Sequence, residues 1–343
     1  MSDEPSSSSA TTTVSETAEA AMQTVGRPAA ESILDSLRSF EDARLGIRET
    51  FLTPSIGGGR TIGILSEPTD RPRALGWVMC HSFGLEQINL QPVETQVARA
   101  LASAGFPVFR FHAQGYGDSE LPTEHVSRPS HMRDTLEATQ VLRGRTSVEH
   151  VGLLGARFGG TIAALVADVT DVSAIALWDP LVKGKAWVQT LARLSIASNL
   201  LIDRDAAEPP ADPLDVLRTK GQIDVQGFPL RIEVFDDIAG IDLLKDLTRF
   251  RGPSLVMQIS RSTTPRPLLD RLVAHLGALG GDSRFEIAAD KNADKLGQPR
   301  FQGTADGSKV DLQATLAESI VSRTVEWAST LPQWLTAHLG DPS

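Results

Sequence analysis

The sequence contains a single cysteine, Cys80, among 343 residues. That excludes an internal disulfide and any cysteine-rich zinc site, and it favours a reducing compartment. Positive charge is also in deficit: 33 Lys and Arg stand against 43 Asp and Glu, a formal net charge of −10. No net positive field draws in a phosphate backbone, so a nucleic-acid partner is not expected. Long apolar runs are missing too. No stretch approaches the ~18 consecutive apolar residues of a membrane span. The opening Met1-Ser2-Asp3-Glu4 carries neither the basic start nor the apolar run of a secretory signal. These absences lead to the expectation of a cytoplasmic protein, and nothing in the composition calls for a cofactor.

What is present has a clear organisation. Residues 1–27 are rich in Ser, Thr, Ala and Glu and poor in large apolar side chains, so they read as a disordered tail. Ile33, Leu34, Leu37 and Phe40 fall at helical spacing, which predicts a short amphipathic helix within Pro28–Leu45. That helix is expected to dock on the domain, and the tail, residues 1–45, is alternatively an element that docks a protein partner. From residue 49 the pattern alternates. Segments Phe51–Pro54 and Thr61–Leu65 flank Gly57-Gly58-Gly59 and suggest an antiparallel hairpin. Apolar runs follow at Ala74–Cys80, Pro107–Phe111, Val151–Leu154, Val172–Trp178 and Ser254–Ile259, with helix-period segments at Pro92–Ala104, His131–Leu142 and Gly160–Val169. Short apolar strands separated by helices imply an α/β architecture, a mostly parallel sheet covered on both faces. Residues 183–245 break the rhythm and read as an insertion capping the strand ends. The core then comprises residues 46–182 and 246–343, closed by a helix over Leu312–His338.

Three segments carry a resemblance. Trp77-Val78-Met79-Cys80-His81-Ser82-Phe83-Gly84 looks like a strand entering an oxyanion loop. The segment from Gly105 to Ser119, with Gly115-Tyr116-Gly117-Asp118-Ser119 at its end, looks like the next strand and its G-x-G-x-S turn. Val151-Gly152-Leu153-Leu154-Gly155-Ala156-Arg157-Phe158-Gly159-Gly160 looks like the strand, elbow and helix that normally hold G-x-S-x-G. In this order they resemble the α/β-hydrolase superfamily, which implies a three-layer α/β-hydrolase fold with a cap. A narrower similarity, through the elbow arginine, Leu177–Lys185 and Asp237–Ile241, is to hydrolase-like proteins associated with bacterial exosortase systems. It implies a bacterial origin.

The resemblance places Arg157 where an active member has its serine, and a guanidinium stays protonated and cannot attack at neutral pH. After Ser254–Ile259 comes Ser260-Arg261-Ser262-Thr263-Thr264, with no acid. After Arg284–Ile287 the only histidine is His338. The expectation is a hydrolase-like protein without the Ser-His-Asp triad. His81, His112, Arg157 and Asp179 should converge at the carboxyl edge of the sheet, with Ser82 and Phe158 beside them, as a site for a small anionic molecule or an acyl group. Alternatively, an Arg157–Asp179 ion pair plugs a dead site. A further alternative is an active hydrolase or acyltransferase using Asp179 with His81 or His112, or Ser82 as nucleophile. His81, His112 and Asp179 also match the ligand types of a metal site, but the fixed charge of Arg157 opposes a cation there, so no metal is expected.

Overall fold

A computed structural model describes residues 38–202, 211–293, 296, 301–303, 309–311 and 314–339. The chain divides into two compact units, Met1–Phe40 and Glu41–Ser343. Only residues 38–40 of the first unit are described, so most of the expected tail and its helix lie outside the described residues. The part of that helix that is described is not helical: strand β1 (Ser39–Asp42) is extended, and a turn follows before β2.

The second unit is built on a mixed sheet. After β1 the strands in chain order are β2 (Ile47–Leu52), β3 (Ser55–Ile56), β4 (Gly59–Arg60), β5 (Gly63–Pro68), β6 (Leu75–Met79), β7 (Val108–Phe111), β8 (His150–Ala156), β9 (Ala174–Trp178), β10 (Gln222–Val225), β11 (Phe228–Arg231), β12 (Ser254–Ser260), β13 (Ser283–Ala289), β14 (Phe301–Gly303) and β15 (Lys309–Asp311). Nine of them form one sheet in the order β1-β2-β5-β7-β6-β8-β9-β12-β13. β5 runs antiparallel to both β2 and β7, and from β7 to β13 every pairing is parallel. The hairpin suggested by the glycine run is present, with the small β3–β4 ribbon at its tip.

The sequence pattern explains the layering. All residues of β6 and β9 are buried, as parallel strands covered on both sides must be. Successive side chains go to opposite faces. Trp77 and Met79 join one core cluster, with Leu90, Val93 and Val97 of helix α1 (Leu85–Ser103) and Trp327 of helix α9 (Ala314–Leu339). Val78 and Cys80 join the other, under α2 (Arg128–Arg145) and α3 (Phe158–Val169), which also takes in Leu269, Leu272 and Leu276 of α8 (Pro267–Ala278). Between β9 and β12 the chain forms α4 (Gly184–Ile202), α5 (Pro213–Lys220), the β10–β11 hairpin, α6 (Ile232–Ala239) and α7 (Leu243–Asp246).

The chain leaves β6 toward β7 on one side, whereas β8 is followed by β9 on the other. Sheets of this type open a crevice outside the strand carboxyl ends where the order reverses. The β6–α1 loop and the β8–α3 turn meet there.

Candidate functional site

The β8–α3 turn is a single residue, Arg157, with φ 54° and ψ −121°. Its N–H donates to Trp178 O of β9 at 2.8 Å, which fixes the turn against the sheet. The flanking glycines are a steric necessity. A Cβ on Gly155 would stand 2.6 Å from the carbonyl carbon of Gly159, and one on Gly159 would overlap Cys80 O. Helix α3 therefore starts tight against β6, with Arg157 at its tip.

The guanidinium is held from two sides. Nε donates to Glu86 Oε1 at 3.1 Å and Nη1 donates to Asp179 Oδ2 at 2.7 Å. Asp179 follows β9 and also has positive φ, 50°, with its N–H donating to Met257 O at 2.7 Å. Its second oxygen contacts the guanidinium of Arg266, which precedes α8. Burial, and then the nearby charge of Arg157, push the Arg266 pKa down. Two cations thus share one nearly buried carboxylate.

A hydrogen-bonded relay runs inward from Glu86. Ser82 Oγ donates to Glu86 Oε2 at 3.0 Å, Ser82 N–H donates to Gln87 Oε1 at 2.5 Å, and Gln87 Nε2 donates to Glu94 Oε2 at 2.7 Å. Glu94 is fully buried, and its other oxygen lacks a partner. Burial lifts its carboxyl to about 7, against the smaller opposing effects of Gln87 and Arg110.

Arg157 borders two cavities. One, of about 320 Å³, is lined on one side by Phe83 of the β6–α1 loop, Trp187, Leu191 and Leu194 of α4 and Phe228 of β11, and on the other by the polar Glu86, Asn89, Arg157, Thr190 and Gln226. The other, of about 500 Å³, is bordered by Arg157, Asp179, Arg261 and Arg266 with the hydroxyl-bearing loop after β12.

Of the residues expected to converge, Arg157 and Asp179 meet; His81 and His112 do not join them. The His81 ring packs 4.3 Å from that of Tyr116, and its Nδ1 lies 2.9 Å from Ser82 O. Burial, followed by the influence of His131, holds its pKa well below the ordinary value, so it is a neutral core residue. His112 sits over Gly117 and accepts from Asp118 N–H through Nδ1 at 3.3 Å. Burial also lowers its pKa. Both histidines follow strand ends, but their rotamers carry the rings toward the G-x-G turn and α2. Ser82 reaches the cluster only through Glu86. The Phe158 ring is fully buried and stacks on Trp187 at 5.7 Å, so that residue can face a ligand only through its N–H, one of those a helix start leaves unpaired. No group of three or more His, Cys, Asp or Glu among the described residues is placed to hold a metal.

Glu86 and Arg266 were missed by sequence reasoning. Starting a helix at Pro92 left Leu85–Gln91 as loop, which hid Glu86, Gln87 and the relay. The arginine-bearing Arg261–Arg266 stretch registered only as lacking an acid. Its Thr264-Pro265-Arg266-Pro267 run, a helix-start signal directly after a buried strand, was the cue available.

No family model matches the sequence, and no curated protein does. Solved structures do match. An esterase of Pyrococcus furiosus superposes with a TM-score of 0.53 at 13% identity, covering 86% of this chain and 94% of that one. Est1E from Butyrivibrio proteoclasticus, solved with ferulic acid, gives 0.52 at 13% identity over 72% and 94%. Proline iminopeptidase of Mycobacterium smegmatis gives 0.50 at 14% identity over 83% and 100%. Likeness at such identities concerns the backbone alone, and with the mostly parallel sheet and its flanking helices it establishes that this chain has the α/β-hydrolase fold.

Proposed function

We propose that this protein binds an anionic amphiphile, an acyl chain ending in a negative group, and does not carry out hydrolysis by a Ser-His-Asp triad. The observation that carries the reading is the position of Arg157: one guanidinium is the common wall of two cavities, the first with an aromatic and leucine wall and the second bordered by arginines and hydroxyls. A group that stays charged at every working pH and offers a planar fork of donors suits a carboxylate or phosphate. The start of α3 adds a favourable dipole. The first cavity, about 320 Å³, is of small-molecule size, and Trp187, Leu191 and Leu194 on its apolar side supply a surface for an alkyl chain. Glu86 is the displaceable partner: an incoming anion takes its place on Arg157 Nε.

Triad chemistry lacks its parts. The segment from Asp290 to Leu312, after the last strand of the large sheet, contains no histidine. Asp179 Oδ2 accepts from Arg157 Nη1 and the Arg266 guanidinium lies against the same carboxylate, and two adjacent cations leave it poorly suited as base or nucleophile.

The test is calorimetric titration of the full chain with dodecanoate and with uncharged dodecanol. Saturable one-to-one binding of dodecanoate, at least tenfold weaker in Arg157→Ala and at least tenfold weaker for the alcohol, is expected; tenfold corresponds to about 1.4 kcal/mol. A fluorophosphonate should leave the protein unlabelled. Stoichiometric labelling, or equal binding of acid and alcohol, overturns the reading.

A further inference from the structure

Among the described residues three besides glycine have positive φ: Arg157 at 54°, Asp179 at 50° and Gln226 at 55°. The first two form the elbow cluster. Gln226 belongs to a different element, the β10–β11 turn, yet it too lines the cavity of about 320 Å³ that Arg157 borders. Each of these three left-handed residues thus reaches one of the two cavities.

The turn accounts for the backbone of Gln226 but not for its side chain. Val225 pairs with Phe228, so the loop is the two residues Gln226 and Gly227, with φ 55° and 90°. A two-residue hairpin of this hand takes positive φ at both central positions, and Asn, Asp or Gly fill the first of them at least cost. Asn and Asp do so because a short polar side chain bonds back to the local backbone. Here Asp224 supplies that bond instead, its Oδ1 accepting from Gly227 N–H at 3.0 Å. The longer amide of Gln226 forgoes local stability at a position that borders the cavity.

The neighbouring chemistry defines what that amide meets. Thr190 of α4 lines the same cavity. Its Oγ donates to Ala186 O at 2.9 Å, so the capacity left to it is to accept. The Gln226 amide can both donate and accept. Two neutral residues offer an ion no opposite charge. Their complement is an uncharged group with a proton to donate, a hydroxyl or an amide N–H.

We infer that Gln226 is a specificity-determining residue, and that the ligand of the proposed amphiphile site is an acyl-chain anion bearing a hydroxyl or an amide rather than a plain fatty acid. The inference rests on the amphiphile reading and narrows it. Arg157 holds the negative group, Trp187 and Leu191 take up the alkyl part, and Gln226 with Thr190 bonds the neutral polar group. Gln226 is exposed, and a hydrogen bond made within reach of water changes affinity by roughly fivefold.

The experiment titrates the full chain with dodecanoate, β-hydroxydodecanoate, ω-hydroxydodecanoate and N-decanoylglycine by calorimetry, in the unaltered protein and in Gln226→Gly and Gln226→Asn, and follows the urea unfolding of all three proteins. At least one substituted ligand is expected to bind about fivefold more tightly than dodecanoate, and which one does so separates a hydroxyl from an amide. That ratio should fall to within about twofold in Gln226→Gly, which removes the amide. Gln226→Asn suits the turn and shortens the side chain, so it should lower the ratio while raising the urea midpoint. A gain in stability joined to a loss of discrimination is a result that a merely structural glutamine does not give. Equal affinity for all four ligands overturns the role of Gln226 while the amphiphile site stands. A preference that survives in Gln226→Gly also overturns it, as does a Gln226→Asn variant less stable than the unaltered protein. Binding of none of the four overturns both readings.

Discussion

Among the described residues, two of the places where a carboxylate is held between guanidinium groups, Glu49 and Asp179, have opposite characters. At Glu49 of β2, Oε1 accepts from Ser66 Oγ at 2.9 Å and Arg110 Nη2 at 3.3 Å, while Oε2 accepts from Arg99 Nε at 2.9 Å and Nη2 at 2.5 Å. All four residues lie on regular strands or on α1, and the cluster ties the three neighbouring strands β2, β5 and β7 to a helix. At the elbow, both central residues, Arg157 and Asp179, have positive φ and cavities open on either side. Backbone strain of roughly 1–3 kcal/mol per residue persists only where the surroundings enforce it, and it gathers at functional sites. An ion cluster on relaxed, regular backbone holds structure together. One with strained backbone beside open volume is poised to exchange a partner.

The largest expected effect tests the structural cluster. Glu49→Ala leaves the largely buried Arg110 without its carboxylate, and removing one partner of such a pair costs about 3 kcal/mol. Urea unfolding should show that loss, with dodecanoate affinity unchanged. A cost below about 1 kcal/mol would mean that Glu49 is no more structural than an exposed pair.

Glu94 sits between the clusters, close to Arg110 on one side and joined through Gln87 and Ser82 to Glu86 on the other. Its carboxyl titrates at about 7 rather than near 4.5. Between those values the native state keeps a proton that the unfolded chain has lost, so stability falls as pH rises through this window and is level above it. Glu94→Gln carries the neutral form at every pH. The variant should match the unaltered protein near pH 5 and exceed its stability by about 3 kcal/mol near pH 8, read from unfolding curves at the two pH values. A stability difference independent of pH would show that Glu94 ionises normally.

Asp179→Asn should cost less, about 1–2 kcal/mol, because Arg157 keeps Glu86 and both arginines retain access to solvent. It should also tighten anion binding, since it removes the internal anion that competes for Arg157 and Arg266. Loss of anion affinity in this variant would mean that Asp179 orients the guanidinium groups rather than occupying them.

The fold was legible because its signals are local and redundant. Each all-buried strand is a short apolar run, and Gly155 and Gly159 mark a turn that no Cβ-bearing residue tolerates at those points. The site was legible only where the backbone alone decides it: Arg157 at the elbow and Asp179 after the neighbouring strand. His81 and His112 follow strand ends as well, but their place depends on rotamers: that of His81 is set by Tyr116 and His131, distant in sequence, and that of His112 by the folding back of the Gly117 turn, which residue order alone does not specify. Pro92 misled for a physical reason. Proline suits the first turn of a helix, yet here it stands inside α1, whose start at Leu85 is fixed by the positive-φ Gly84.

The smallest expected effect bears on strain at the elbow itself. Arg157→Ala and Arg157→Gly remove the same ion pairs, so any difference between them reports the backbone. At φ 54° and ψ −121° a Cβ is disfavoured and glycine is not. In an ordinary strand or helix the glycine variant would be the less stable by roughly 0.5–1 kcal/mol. At the elbow the order should reverse, with Arg157→Gly more stable than Arg157→Ala by about 1 kcal/mol, measured by paired urea unfolding. The same substitutions at Glu49, in regular β2, should keep the ordinary order. If alanine is the more stable at both places, the elbow holds no strain, and the distinction between a structural and an exchangeable ion cluster must rest on the cavities alone.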